Sequence, residues 1–230
     1  MTTKVDMKAL LEAGAHFGHK TSRWHPKMAP YIHSRKNGAH IINLEKTVEG
    51  FDAALPKITE IVKSGKKVLF VDTSKQSKEL TKAAAESVKM PYVTERWVGG
   101  TLTNVETVNR QIKKLKDLER RMDSGELKNR YNKLEVQRFQ EEIDLLNTRY
   151  GGIKEMSEQP AALIILGAAQ DKNAVKEAKT LNIPIIAICD TNVDPTDVSL
   201  VVPGNDNSTK ATELYLNYFV EAVKAGKTTK

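Results

Sequence analysis

Residues 161–190 read AALIILGAAQDKNAVKEAKTLNIPIIAICD, and this stretch decides the fold class. Two apolar runs, residues 162–166 and 183–189, lie on either side of a charged segment. Asp171 is suited to cap a helix that continues to about Leu181. Strands that are apolar on both faces and joined by a helix are typical of a parallel sheet covered by helices on both sides. We therefore predict a strand–helix–strand unit at the centre of an α/β sandwich.

The same alternation of apolar runs and helical patterns extends in both directions from this unit. Towards the N-terminus, strands are predicted at residues 68–71 and 91–94, with a helix at 75–89 between them. Towards the C-terminus, a strand at 200–202 precedes a helix at 208–225. Repeated alternation of this kind predicts a doubly wound, Rossmann-like parallel sheet.

Residues 105–150 interrupt this alternation. Two segments there each carry one narrow apolar stripe at three-and-four spacing among many charges, with a turn signal, DSGE, at residues 123–126. The pattern predicts an antiparallel coiled-coil helical hairpin inserted into a discontinuous α/β domain of residues 1–104 and 151–230. The alternative is two ordinary amphipathic helices packed on the main core. The narrow stripes favour the projecting hairpin.

Basic charge is concentrated at the N-terminal end of the chain. The formal net charge is +7 and the pI about 9.3, and residues 1–40 carry +5 of that charge together with all five histidines. Such a surplus favours a polyanionic partner, either nucleic acid or an anionic membrane surface. Binding to a membrane surface would require a basic amphipathic helix. Residues 16–36 are too rich in proline to form one, so we expect RNA and no membrane.

The compartment follows from the cysteine count and the apolar runs. The single cysteine, Cys189, cannot form an internal disulfide, and it lies in an apolar run that predicts burial. The N-terminus has no apolar stretch like a signal peptide. The longest strongly apolar run, residues 161–169, is well short of the ~20 residues that cross a membrane. We expect a cytoplasmic protein.

The segment HFGHKTSRWHPKMAPY, residues 16–31, interleaves cations with aromatic rings, and its two prolines predict a stiff, non-helical loop. Cations neutralise phosphates, and aromatic rings stack on unpaired bases. For Trp24 and Trp97 taken alone, burial in the core is the favoured interpretation, whereas RNA binding is favoured for the cations. The predicted RNA-binding residues are Lys20, Arg23, Trp24, Lys27, Arg35, Lys36 and Arg96.

Two aspartates follow predicted strands and form a candidate cation site with a histidine. Asp190 ends one strand, and Asp206 lies in the turn after the next strand. Ligand groups gather beyond the carboxyl ends of parallel strands, so with His19 these residues could hold a single divalent cation, zinc or magnesium. The alternative, which the sequence favours, is that His19 contacts an aspartate directly without a metal. No cofactor is expected to be required.

Signatures of an enzyme are missing from the sequence. It contains neither of the glycine-rich phosphate loops, G-x-G-x-x-G and G-x-x-x-x-G-K-[ST], and no G-x-S-x-G nucleophile motif. Cys189 lies inside a predicted strand, where a nucleophile would be poorly exposed. A nucleotide-dependent enzyme on a Rossmann-like sheet is therefore the second hypothesis. The first is a binding protein with no catalytic residues and no small-molecule substrate.

Six segments, in order over nearly the whole chain, resemble the bacterial small-subunit ribosomal protein S2 family. The resemblance implies a doubly wound α/β domain with a protruding coiled-coil hairpin. It also implies a structural role in assembly and translation, with binding to 16S ribosomal RNA where the head of the subunit meets its body, and to neighbouring ribosomal proteins including the large mRNA-binding one. The segments are AGAHFGHKTSRWHPKMAPYI (13–32), HIINLEKT (40–47), RWVGGTLTN (96–104), GGIKEM (151–156), IPIIAICDTNVDP (183–195) and PGNDN (203–207).

Two positions depart from the family pattern. His25 stands where the family commonly has asparagine, so a specific hydrogen bond to RNA there could differ. Asn207 stands where a second aspartate often follows Asp206, which removes one charged ligand from the candidate cation site.

Overall fold

A computed structural model describes residues 5–228, and in this part of the chain the strands form two sheets. The strands are β1 (Phe17–Lys20), β2 (Ile32–Lys36), β3 (Ala39–Ile42), β4 (Val68–Val71), β5 (Tyr92–Val93), β6 (Ala162–Ile165), β7 (Ile185–Cys189) and β8 (Leu200–Pro203). The first three strands form a small antiparallel sheet in the order β1-β3-β2. The other five form a parallel sheet in the order β5-β4-β6-β7-β8.

Helices cover both faces of the parallel sheet. The helices are α1 (Met7–Glu12), α2 (Leu44–Lys63), α3 (Lys78–Ser87), α4 (Val105–Asp123), α5 (Glu126–Arg130), α6 (Lys133–Tyr150), α7 (Lys172–Thr180) and α8 (Thr209–Thr228). Short 3-10 helices occur at Thr21–Arg23, Pro26–Tyr31, Gly151–Ile153 and Pro195–Asp197. Among the described helices, none is both long enough and apolar enough to span a membrane.

The predicted parallel α/β sandwich is confirmed, and its central strands show the physical reason. Alternate residues of β4 point to opposite faces: Val68 and Phe70 join the buried cluster under α2, α3 and α8, while Leu69 and Val71 join the cluster on the α7 face. Every residue of β4, β6 and β7 is buried. A strand covered on both faces must be apolar throughout, which is the pattern that revealed these strands. The arrangement is consistent with a Rossmann-like fold.

Residues 105–150 are helical, but an antiparallel coiled coil is not confirmed. Two contacts between α4 and α6, Lys114 to Glu142 and Asn147 to Glu119, each join residues 28 positions apart. In an antiparallel pair, the number of sequence positions between contacting residues increases from the turn towards the open end. Two successive contacts would therefore not have the same separation. The apolar stripes of both helices also belong to the same buried cluster as the α7 face of the sheet. The structure therefore shows two helices packed against each other with buried apolar stripes, and the antiparallel coiled coil stays a prediction.

The N-terminal basic segment is more regular than the predicted stiff loop. Phe17–Lys20 is a strand, and two 3-10 helices follow it. Strands β2 and β3 are joined at Asn37 and Gly38, which have φ angles of +52° and +76°. Two consecutive left-handed residues form the tight turn that suits an antiparallel hairpin. The prediction of a loop over residues 16–31 is therefore wrong for β1, because a three-stranded sheet gives this segment backbone partners.

Candidate functional site

The small sheet is attached to the loops that follow β7 and β8. The backbone N–H of His19 donates to Asp190 Oδ1 at 3.2 Å and to Thr191 Oγ1 at 3.0 Å. The N–H of His25 donates to the Thr191 carbonyl at 2.7 Å. A Cβ on Gly18 would lie 2.7 Å from Thr191 Cγ2, so only glycine permits this approach. The N-terminal segment therefore folds back to the carboxyl ends of the parallel strands.

This attachment brings together the three predicted cation ligands. One potential ligand atom from each of His19, Asp190 and Asp206 lies within 4.8 Å of the other two. His19 Nδ1 is 2.9 Å from Asp190 Oδ2, and Asp190 is only 1% exposed. On the other side of the imidazole ring, Asn207 Nδ2 lies 3.3 Å from His19 Nε2. His19 thus contacts Asp190 directly, and the convergence of three donors also fits a cation with an open coordination position.

Protons would compete with a cation for the ligand atoms of His19 and Asp206. Burial, with the neighbouring Asp190 charge, raises the pKa of Asp206 from 3.8 to about 7, and contact with Asp190 raises the pKa of His19 above 6.5. Both groups therefore hold protons more tightly in the folded chain than in the unfolded chain. The free energy of unfolding that they contribute is greatest in acid. The Asp206 part is lost as the pH rises from about 4 through 7, and the His19 part is lost as the pH rises above 6.5. A bound cation would replace those protons.

Four of the predicted RNA-binding cations lie on or beside the small sheet and are available to a ligand. Lys20 and Lys36 both pair with Ala39, one from each side, which places the two lysines in one row across the sheet. Arg35 pairs with His40 in the next row, and Arg23 lies in the 3-10 helix after β1. All four cations are exposed. Within residues 5–228, none of them has an acidic group at ion-pair distance.

Lys27 and Arg96 differ from these four. Lys27 Nζ donates to Asp194 Oδ2 at 2.9 Å and to Thr196 Oγ1 at 3.1 Å, so its charge is already paired within the protein. Arg96 is exposed but follows β5, at the far edge of the parallel sheet. Three strand spacings separate β5 from β7, a distance of about 14 Å. The structure therefore does not bring Arg96 into the cluster around the small sheet.

The two tryptophans occupy different environments. Trp97 is 7% exposed, which confirms that it is a core residue, and its Nε1 donates to Glu177 Oε1 at 3.0 Å. Trp24 is 38% exposed, so it does not plug the core as the sequence favoured. Its ring instead lies over His40, with 5.0 Å between ring centroids. Trp24 thus presents an aromatic ring that a ligand can reach.

Glu177 organises the loop that contains Trp97. Besides the indole, its carboxylate accepts the backbone N–H groups of Gly100, Leu102 and Thr103 and the hydroxyl of Thr103. Desolvation opposes ionisation here, but these donors outweigh it and lower the pKa of Glu177. The segment RWVGGTLTN is therefore wrapped around one carboxylate. Sequence reasoning missed this role, because nothing distinguishes Glu177 from other charged residues of an amphipathic helix.

The crevice between β4 and β6, where doubly wound folds bind nucleotides, is occupied by internal hydrogen bonds. Asp171 accepts from Thr73 Oγ1 at 2.8 Å and from Thr73 N at 3.2 Å, and Asp72 accepts from Thr81 Oγ1 at 2.7 Å. The expected capping of α7 by the Asp171 side chain is absent, because that carboxylate faces Thr73 instead. Two buried carboxylates disfavour a phosphate group, which argues against the nucleotide-dependent enzyme.

Comparisons with known proteins show which family this sequence is similar to. The family described as "Ribosomal protein S2" matches residues 10–226. The chain is 46% identical over 224 residues to the small ribosomal subunit protein uS2 of Pasteurella multocida, covering 97% of this chain and 93% of that protein. The proteins of the same name from Mannheimia succiniciproducens and from Actinobacillus pleuropneumoniae serotype 5b are each 44% identical over 97% of this chain, with 92% and 94% of their own lengths covered.

Proposed function

Because the chain belongs to the ribosomal protein S2 family, we propose that its small N-terminal sheet is its contact surface for 16S ribosomal RNA. The protein is a structural, non-enzymatic constituent of the small ribosomal subunit, and it acts in translation as part of the cytoplasmic ribosome. The observation that carries the proposal is the set of unpaired cations on and beside this sheet, Lys20, Arg23, Arg35 and Lys36.

A rigid sheet is a suitable platform for phosphate recognition. Its strands fix the spacing of the cations before RNA arrives, so less conformational entropy is lost on binding. The N–H groups of His19 and His25 tie the sheet to the buried Asp190–Thr191 segment. Lys27 and Arg96 belong to the proposed RNA-binding set with less support, Lys27 because Asp194 already pairs its charge and Arg96 because of its distance from the small sheet.

The proposed function is tested by assembly. We expect the purified full-length protein to co-sediment with small subunits reconstituted without it, at one copy per particle, and to show no binding of ATP or NAD by equilibrium dialysis. Nucleotide binding without co-sedimentation would contradict the proposal and support the enzyme hypothesis. An unrelated basic protein of similar size serves as the control for non-specific binding to RNA.

We propose that residues 105–150 are an insertion whose distal part projects as the coiled-coil hairpin. At its tip, Leu127 is fully buried, Tyr131 packs edge-on against Phe139, and a reciprocal capping box joins Asn132 to Glu135. These contacts are local to the tip. Replacing residues 124–132 by a short glycine linker should therefore leave unfolding cooperative and weaken co-sedimentation in the same assay. Loss of cooperative unfolding would mean that the tip is integral to the α/β domain.

We further propose that the surface beside the RNA-binding sheet receives protein neighbours, including the large mRNA-binding protein that the family resemblance implies. The support is an unusual share of exposed apolar side chains in the N-terminal segment. Met7, Leu11 and Phe17 are 44%, 52% and 54% exposed. Large apolar groups that remain exposed on a basic surface are suited to protein contacts rather than to phosphates.

We also propose that His19, Asp190 and Asp206 hold a single divalent cation, zinc or magnesium, which is not required for folding. The convergence of their ligand atoms supports the proposal. The cation would tie β1 to the ends of β7 and β8. Because it must displace protons from His19 and Asp206, it should bind more weakly in acid.

The expected result is a pH-dependent stabilisation. At pH 7.5, zinc at about 100 times its Kd should raise the free energy of unfolding by ~2.7 kcal/mol, and at pH 5.5 by much less. Urea unfolding of chelator-treated protein with and without zinc measures both values. Asp190→Asn should abolish the effect, whereas Asp197→Asn, an aspartate paired with Lys179, should keep it. Unfolding of the wild-type protein that does not respond to zinc at pH 7.5 would rule the cation site out.

A further inference from the structure

A cavity of about 630 Å³ opens between the small sheet and the 3-10 helices that follow β1. Its volume is within the ~300–1,000 Å³ that is usual for small-ligand pockets. The walls combine one aromatic ring, one imidazole, one guanidinium and several hydroxyls. They include Trp24, His40, Arg35, Thr21, Ser22 and Ser34. This mixture of a stacking surface and convergent polar groups is what a planar, polar ligand requires.

His40 is the unexplained group in this cavity. Its side chain is 5% exposed, and neither ring nitrogen has a hydrogen-bond partner within the described chain. Burying an imidazole without a partner costs free energy, typically ~1–3 kcal/mol for each unpaired group. A carboxylate or a carbonyl from the protein would have removed that cost. A ligand in the cavity that His40 lines could supply the missing hydrogen bond.

The protonation state of His40 narrows the choice of partner. Burial, with the nearby charge of Arg35, lowers the pKa of His40, so the ring is neutral at physiological pH. A neutral imidazole has one donor nitrogen and one acceptor nitrogen, and either of them can form one hydrogen bond with the edge of a nucleobase. The cations around the opening complement phosphate: Arg35 lines the cavity, and Lys36 follows it on β2.

We infer that this cavity receives one unpaired nucleobase of the ribosomal RNA, stacked on Trp24 and hydrogen-bonded to His40. Arg35 contacts the phosphate of the same nucleotide. The inference rests on the proposed function and deepens it, because it names a single-stranded nucleotide, rather than a duplex, as the feature recognised. Sequence-specific RNA recognition usually depends on such unstacked bases, which aromatic side chains hold by stacking.

The first test separates stacking from charge. We expect Trp24→Ala to weaken binding of a 16S rRNA transcript by roughly 5- to 150-fold, the range for losing one stacked base. The slope of log Kobs against log salt concentration should stay unchanged, because no phosphate contact is lost. Trp24→Phe keeps an aromatic face and should restore most of the affinity. Since Trp24 is 38% exposed, the alanine variant should remain folded, as thermal unfolding will show.

The second test addresses the hydrogen bond. His40→Phe keeps a ring beside Trp24 but removes both nitrogens, so we expect roughly ten-fold weaker binding with no loss of thermal stability. Wild-type affinity for both Trp24→Ala and His40→Phe would overturn the inference and leave the proposed function standing. Failure of the wild-type protein to bind the transcript would overturn the proposed function itself. Normal RNA binding by Trp24→Ala with loss of subunit assembly would also overturn the inference, and would identify the occupant as a protein neighbour.

Discussion

Replacing Glu177 by alanine is expected to lower the free energy of unfolding by ~3–5 kcal/mol, the largest effect of any single substitution considered for this protein. The carboxylate accepts hydrogen bonds from the Trp97 indole, from three backbone amides and from one hydroxyl. Trp97 and Leu102 are 7% and 1% exposed, so their N–H groups would be left unpaired away from water. Urea unfolding followed by far-UV circular dichroism measures the change.

Two matched variants test this explanation. Glu177→Gln keeps the shape and one acceptor oxygen, and it should cost ~1–3 kcal/mol, less than alanine, because the charge is lost and the donors on one of the two oxygens then face an NH2 group. Glu158→Ala removes an exposed glutamate and should change the free energy of unfolding by less than ~0.5 kcal/mol. If Glu177→Ala is no more destabilising than Glu158→Ala, the hydrogen bonds around Glu177 do not hold the loop.

Neutralising the four unpaired cations on and beside the small sheet should greatly reduce the salt dependence of RNA binding. With Lys20, Arg23, Arg35 and Lys36 all replaced by glutamine, we expect the slope of log Kobs against log salt concentration to decrease in magnitude by roughly 2.8–3.6. Each lost phosphate contact contributes about 0.7–0.9. Filter binding of a 16S rRNA transcript between low and moderate salt measures the slope.

The chain provides its own control for this experiment. Lys27 lies in the same basic segment, but it is paired with Asp194, whose pKa is held below its usual range by hydrogen bonds from Thr196 and Lys27. Lys27→Gln should therefore alter the slope by much less than any of the four unpaired cations. An unchanged slope in the four-fold variant would remove the small sheet from the RNA interface, and a large change for Lys27→Gln would show that the ion pair opens on binding.

The sequence by itself determined the central sheet and the place where ligand groups converge. Strands such as Val68–Val71 and Ile185–Cys189 are buried on both faces, so they must be apolar at every position, and that pattern is visible without any structure. The convergence of Asp190 and Asp206 was also predictable, because neighbouring parallel strands end at the same edge of the sheet. The alternating helices and the burial of Cys189 and Trp97 follow from the same rules.

The small sheet was decided by tertiary structure, although one local signal was present. The sequence IHSRK of β2 is mostly exposed and has no apolar alternation, so only Asn37-Gly38, a strong hairpin turn signal, pointed to the β2–β3 hairpin. The position of His40 beneath Trp24 then depends on the pairing of Arg35 with His40 across that hairpin. Without the pairing, nothing marks His40 as a binding residue.

Long-range polar contacts and the packing of α4 and α6 were decided only by the folded chain. Lys27 meets Asp194 across 167 residues, and Glu177 meets Trp97 across 80. The sequence pattern of a helix or strand shows which of its residues are buried. It does not show which distant residue each charged side chain will contact. The stripes of α4 and α6 show the same limit: their spacing predicted helices with one apolar face, but only the folded chain shows which buried cluster those faces join.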